Sequence, residues 1–397
     1  MHELNLLQHY ILHTSKKLSL NPGKALVWER VIPDIAGKNA FLMHLLIALA
    51  GLDILTTQQP NEQMYANSNA AKLQTLVEHH QMGLQGLQEQ LAAVEDTNAE
   101  VLFAGSMLIV GFAFGSLRVG NLDLLTNMSQ SASTEDHTSP GTPHRFDRPH
   151  IQWLQLVRGA SFIVQDSWAA LKLSRLRPLL LFNNANEDWK LLGPEPLPTS
   201  VPPGCVRSQS ICAFALGASR AISRLKEFLN SLKSTGCEIG DGNIQSPISG
   251  TSPGSNGNPQ LDELCAAQDQ AIAVAEQMYL RIICVLQLQR IETSSSDRDI
   301  HAEMEDAAIA SWPGLVPQAF VSSLDSDSNP DIPIGFSFII LAHLYLLLTL
   351  PDHLWYLGKH FGTEIKKIHG LINELGDSQL CSLMSWPMNV LNLQTDI

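Results

Sequence analysis

The sequence predicts an all-α protein, an irregular multi-helix domain with loop insertions. Apolar residues recur at intervals of three and four along nearly every apolar stretch, and almost nowhere do they alternate as a half-buried strand requires. The clearest case is Leu73, Leu76, Val77, His80, Leu84, Leu87, Leu91 and Val94, which fall on one stripe of a single long helix.

Taken in order, the N-terminus reads as helix with Leu4, Leu7 and Ile11 on one face. A helix over 39–57 precedes the striped one. Thr97 and Glu100 have the T-x-x-E spacing of a capping box, so the chain should break at 95–97 and restart into the apolar run Val101 to Leu117. Further helices are expected at 151–175, 208–233, 260–291, 334–350 and 353–373. In the last, Leu357, Phe361, Ile365, Ile368 and Ile372 share a face. Four interruptions, 127–150, 193–204, 234–259 and 322–333, are poor in apolar residues and rich in turn formers. The third, with SPISGTSPGSNGNP, has the composition of disorder. The helices flanking these stretches have no separate core, and no internal repeat is visible. The expectation is therefore one domain over residues 1–397 with loops inserted.

The 397 residues are 45% hydrophobic and only 16% charged, enough for a large core and a sparing surface. Lys and Arg number 25 against 39 Asp and Glu, a net charge of −14. Such a chain lacks the electrostatic footprint of a self-sufficient nucleic-acid binder. Its six cysteines (Cys205, Cys212, Cys237, Cys265, Cys284 and Cys381) form no C-x-x-C pair and read as reduced thiols, with Cys265 and Cys284 as small core residues. No secretory leader pattern is present, and the sequon at Asn127 is discounted with it. The apolar runs 101–117 and 334–350 are at or just below the roughly 17 to 20 residues of a membrane span. Gly111 and Gly115 have the G-x-x-x-G spacing of packed membrane helices. Neither run has flanking Lys/Arg clusters, so both are expected to be buried helices rather than spans.

No nucleophile elbow, phosphate loop, dinucleotide fingerprint or H-E-x-x-H occurs, and no catalytic, metal or cofactor site is expected. His79 and His80 point about 100° apart on a helix and lack an i+4 partner, so His80 reads as a core histidine with one hydrogen bond. His144, Asp147 and His150 in PHRFDRPH are a possible ligand set, but a solvated loop explains them better. Glu303, Glu305 and Asp306 are acidic enough to hold a cation, but a polar helix face explains them better. The C-terminal apolar helix is more informative. Phe336, Phe338, His343 and Tyr345, with Trp355 after it and Trp386 beyond, combine aromatic bodies with a few polar tips. That is what an apolar ligand pocket requires, and also what a packed core requires.

Three blocks resemble the fungal zinc-cluster transcription factors of the sterol-uptake-control type, in their C-terminal regulatory domain. The first is NLLQHYILHTSKKLS with ALVWERVIPDIAGKNAFLMHLLIALAGLDIL. The second is YANSNAAKLQTLVEHHQMGLQGLQEQL with WLQLVRGA. The third is PIGFSFIILAHLYLLL, DHLWYLGKHFGTEIKKI and SWPMNVL. The resemblance implies a nuclear, all-helical effector domain that binds a sterol or other apolar small molecule and regulates metabolic or biosynthetic genes. Phe336, Phe338, His343, Tyr345 and Trp355 are its candidate ligand residues, with His343 or Tyr345 bonding a hydroxyl. The family's six-cysteine cluster holding two zinc ions, beside basic residues, is not in this sequence. The expected partners are therefore a complete zinc-cluster regulator or a second copy, with no direct nucleic-acid contact by this chain alone. Asp53 stands where members usually have His, so local contacts there need not carry over. The alternatives are an interaction protein with a filled core, or an enzyme acting on a hydrophobic substrate through His343, Asp352 and His353.

Overall fold

The computed structural model describes residues 3–57, 66–92, 98–118, 148–180, 208–238, 259–288, 304–305, 312–325, 330–350, 354–357 and 360–394. Among them every regular element is a helix. Asp352, His353, His144, Asp147, Asn127, Cys205 and the 95–97 break lie outside the described residues.

The N-terminal segment is helix α1 (Glu3–His9), continued by a wider turn over Tyr10–Thr14 and a tighter one over Ser15–Lys17. Its buried face differs from the expected one. Leu6, Tyr10 and Thr14 are fully buried, whereas Leu4 and Ile11 are exposed. Leu4, Leu7 and Ile11 satisfy a helical repeat, but so do Leu6, Tyr10 and Thr14. The choice is made by Asp53, which takes the Thr14 hydroxyl at 2.9 Å, the His9 Nε2 at 3.1 Å and the Lys17 ammonium at 3.1 Å. A buried carboxylate must be paired, and this set fixes which side of α1 faces in.

Asn21 caps α2 (Pro22–Leu26), accepting from the backbone N–H of Gly23 and Lys24, with Pro22 at the first helical position. A wider turn over Val27–Val31 leads into α3 (Ile32–Ala36). Helices α4 (Ala40–Thr57), α5 (Ala66–Ala92) and α6 (Ala99–Ser116) then pack on one another. The stripe on α5 is borne out at Leu73, Leu76 and Leu87, all buried, while Leu91 is exposed at the helix end. Gly83 and Gly86 lie on α5 where a methyl group would meet Leu45 and Phe41 of α4 at 2.5 and 2.3 Å, so the two helices approach closely only because both positions lack a side chain. Helix α6 begins at Ala99, capped by Asn98, whose side chain accepts the Glu100 N–H at 3.0 Å. The capping box expected between Thr97 and Glu100 lies outside the described residues at Thr97, and what is seen is the other role of Glu100. Glu100 bonds the Arg175 backbone N–H at 2.9 Å and guanidinium at 3.3 Å.

The stretch expected to be one helix over 151–175 is two, α7 (Gln152–Asp166) and α8 (Trp168–Leu171), with Ser167 out of helical geometry between them. The bend allows Leu171, Leu176, Leu179 and Leu180 all to be buried. Helix α9 runs Gln209–Glu238, past the expected end at 233; Ser234 bonds back to the Asn230 carbonyl, and the helix absorbs it. Then come α10 (Pro259–Leu288), α11 (Trp312–Leu315) and α12 (Gln318–Leu324), the last occupying the start of the expected 322–333 loop.

Helix α13 (Ile332–Thr349), capped by Asp331, is surrounded by α10, α12, α14 (His360–Leu375) and α15 (Ser378–Asn392). Leu357 lies in a turn before α14 rather than on it, and is buried all the same. Gly376, with φ +69°, ends α14, and Asp377 caps α15 at once by accepting from Gln379 and Leu380. Helix α15 contains Pro387, whose missing N–H frees the Leu383 carbonyl. One buried apolar cluster runs from Leu6 to Leu391.

Helices α4, α6 and α13 are each long and apolar enough to cross a membrane by length and composition, and 56%, 61% and 83% of them respectively are buried against the rest of the chain. On α6 the Gly111 and Gly115 face receives Leu49, Leu52 and Trp355.

Candidate ligand cavity and buried carboxylate centre

Two turns of α6 bring Phe103 and Met107 to one face, and α7 sets Val157 and Ala160 opposite them. Trp28 from the turn after α2 and Tyr356 from the turn before α14 close the sides of a cavity of about 90 Å³. Its walls are apolar, with three polar groups: Lys24, Ser161 and Glu305. Lys24 and Glu305 are each 5% exposed. Glu305 accepts the Ser19 hydroxyl at 2.7 Å and the Leu20 N–H at 2.9 Å, and the Tyr356 hydroxyl bonds the Leu18 carbonyl at 3.3 Å. An apolar chamber with a few placed polar groups can hold an apolar molecule and orient one polar end. Glu305 thus belongs to a buried network and not to the polar helix face expected for it.

The five residues singled out in the sequence do not share one chamber, and none is among the cavity's lining residues. Phe336 packs on Phe228 with ring centres 4.8 Å apart, and Phe338 is buried on the same helix. His343 is buried against Trp386, 5.4 Å away, and its carbonyl accepts the Tyr279 hydroxyl at 2.8 Å. Tyr345 points elsewhere. Its hydroxyl donates to the His150 carbonyl at 2.6 Å and lies 3.3 Å from the Trp153 Nε1–H that donates to it. Trp355 lies over Gly115 of α6, and the Arg118 guanidinium donates to its carbonyl. Two of them reach the cavity indirectly, Trp355 through its neighbour Tyr356, and Tyr345 through Trp153, Phe114 and Tyr356. Sequence reasoning missed Lys24 and took Glu305 for a polar helix face, because a charged residue reads as surface until the fold buries it.

The second centre is Glu364, whose side chain is fully buried on α14. His150 was expected in a solvated loop. Instead its backbone N–H donates to Glu364 Oε2 at 2.6 Å, and its Nδ1 lies 3.2 Å from Oε1. His360, one turn earlier on α14, brings Nε2 to 3.1 Å from the same Oε1, and the Lys367 ammonium is 3.0 Å away. Burial alone raises this carboxyl's pKa, but the groups from His150 and His360 more than offset it and hold Glu364 well below the usual carboxylate range. Nothing but the H-x-x-x-E spacing of His360 and Glu364 signalled this arrangement in the sequence.

His80 stacks on Phe112 at 4.0 Å, and its buried Nε2 has no hydrogen-bond partner, so the expected single bond is replaced by ring packing. Burial pushes His80 and His343 down to about 4, with the freed Leu383 carbonyl opposing the effect at His343. Below the ordinary histidine value of 6.5 the unfolded chain binds protons that these folded residues refuse. Stability therefore falls as pH drops from about 6.5 toward 4, by about 2 kcal/mol per histidine between pH 7 and 5. Urea unfolding at both pH values should show a gap about 2 kcal/mol smaller in His80→Leu than in the parent; an unchanged gap would refute the burial of a neutral ring.

Residues 5–176 match the family model of the fungal specific transcription factor domain. Over that stretch, less than half of its length, the chain is similar to a fungal transcription factor domain. The match supports a transcription regulator role and agrees with the resemblance carried by the first two sequence blocks. No curated protein and no solved structure matches the chain. The matched stretch supplies Trp28, Phe103, Met107, Val157 and Ala160 to the cavity, while Glu305 and Tyr356 come from beyond it.

Proposed function

We propose that this regulator is ligand-responsive, switched by a small apolar molecule with one polar end, bound between α6 and α7. The observation that carries the reading is the Lys24 and Glu305 pair, two charged side chains held almost fully buried at an otherwise apolar cavity. Both side chains have partners within the protein, and they leave the apolar chamber with polar groups against which one polar end of a ligand can be oriented. At about 90 Å³ the cavity suits a short chain, and a single ring fits once the lining side chains give way. Engineered cavities of about 150 Å³ take benzene, and drug-sized ligands occupy about 300 Å³ or more. A sterol enters only if α7 moves outward. The five aromatic and polar residues of the third block then act as the support behind the cavity, through Tyr345 and Trp355.

In this reading the regulator acts in the nucleus on metabolic or biosynthetic genes and is not an enzyme. Helices α4, α6 and α13 serve as core rather than membrane spans, which their burial supports. With a net charge of −14, contact with DNA falls to a basic module elsewhere in the regulator or on a zinc-cluster partner. Exposed Phe162 and Leu173 offer apolar surface for such a partner or a second copy.

Fusion to a heterologous DNA-binding domain tests both levels. A reporter should respond to the fusion, and single-ring and sterol compounds should change that response and raise the melting temperature. Ala160→Phe, which fills the cavity, should abolish the compound effect and leave the protein folded. A reporter response indifferent to every compound, or equally responsive in Ala160→Phe, sinks the ligand reading.

A further inference from the structure

We propose that His150, His360 and Glu364 form a site for a divalent ion of the zinc class, independent of the ligand cavity. Three potential donor atoms, one from each residue, lie within 4.8 Å of one another. Two of the three separations, 3.1 and 3.2 Å, match the roughly 3.3 Å between ligands at about 2.05 Å from a tetrahedral zinc. His360 and Glu364 are four residues apart and so share one face of α14, while His150 comes from the segment before α7 and approaches from outside the helix.

The surroundings are those of a metal centre. The buried Nε2 of His360 has no hydrogen-bond partner although it sits beside Glu364 Oε1. Glu364 is oriented by the His150 N–H on Oε2, which leaves Oε1 turned to the two rings. His150 is held in turn by the Tyr345 hydroxyl on its carbonyl. Such outer bonds fix ligands in place. Two imidazoles and one carboxylate favour zinc over calcium or magnesium, which prefer all-oxygen shells. Lys367 has an explicit role here. Its ammonium, 3.0 Å from Oε1 and 3.4 Å from His150 Nδ1, supplies the counter-charge when no metal is bound. The ion displaces it toward solvent, so lysine and metal compete for one carboxylate. Occupancy would clamp the lead-in of α7 to α14.

The test uses the full chain, stripped with chelator and titrated with Zn2+ by calorimetry and with Co2+ by visible absorption. The expected result is one ion per chain with a tetrahedral cobalt spectrum, lost in His360→Ala and tightened at least tenfold in Lys367→Met. Failure of the parent chain to bind overturns the proposal whatever Lys367→Met does. Binding undiminished in His360→Ala overturns it as well. Because Glu364→Gln leaves a buried amide among three donors and so threatens the fold itself, the two variants above carry the decision.

Discussion

Trp153→Ala is expected to lower the stability of the whole described core by about 4 kcal/mol, the usual cost of truncating a buried tryptophan. Trp153 on α7 is 3% exposed. Its ring lies 4.9 Å from Phe114, 5.5 Å from Trp312, 5.9 Å from Tyr345 and 5.5 Å from Phe361. Its Nε1–H also supplies the Tyr345 hydroxyl. Phe114 belongs to the matched family domain, whereas Trp312, Tyr345 and Phe361 lie beyond it. The cavity left behind is therefore shared by both parts of the chain. Urea unfolding should show one transition in parent and variant, with the midpoint lowered and the slope unchanged. Two transitions, of which only the first moves, would mean that the matched stretch and the remainder are separate units. A loss under about 1 kcal/mol would mean that the ring is not the hub its neighbours make it.

Asp53→Ala is expected to cost about 3 kcal/mol and to loosen the first helix selectively. The carboxylate is wholly buried and serves His9, Thr14 and Lys17 at once. Its removal strands the fully buried Thr14 hydroxyl, which loses its acceptor. Lys17 is 38% exposed and can turn to water, which keeps the loss at the low end of the range for broken buried pairs. Asp53→Asn retains an acceptor for Thr14 and should lose roughly half as much. Hydrogen exchange over residues 3–17 should rise far more than over α13. Uniform acceleration across the chain would contradict a local anchoring role.

Much of the fold was legible because helical periodicity is a local property. The α5 stripe and the runs that became α4, α6 and α13 each contain enough apolar residues at three and four spacing to exclude a strand. Errors came where two patterns were equally good locally. Leu4, Leu7, Ile11 and Leu6, Tyr10, Thr14 both describe a helix face, and only Asp53, 39 residues after Thr14, chooses between them. Helix α15 escaped notice because Pro387 reads as a breaker, although the Leu383 carbonyl it frees is turned to His343. The aromatic residues of α13 stand out in the sequence, but composition does not separate a pocket wall from a core.

That the chain is helical, that its core is large, that its charge is acidic and that it resembles a fungal transcription regulator are all legible in the order of its residues. Those follow from short-range spacing and from sums over residues, which need no knowledge of what meets what. Only the tertiary structure decided that Lys24 and Glu305 share a cavity with Trp28, Phe103 and Tyr356, and that His150 meets His360 and Glu364. In both groups the partners are brought together from distant parts of the chain. Burial then reverses their chemistry: a charge that reads as solvated surface becomes one that must find a partner, and that cost is set by neighbours the sequence does not place.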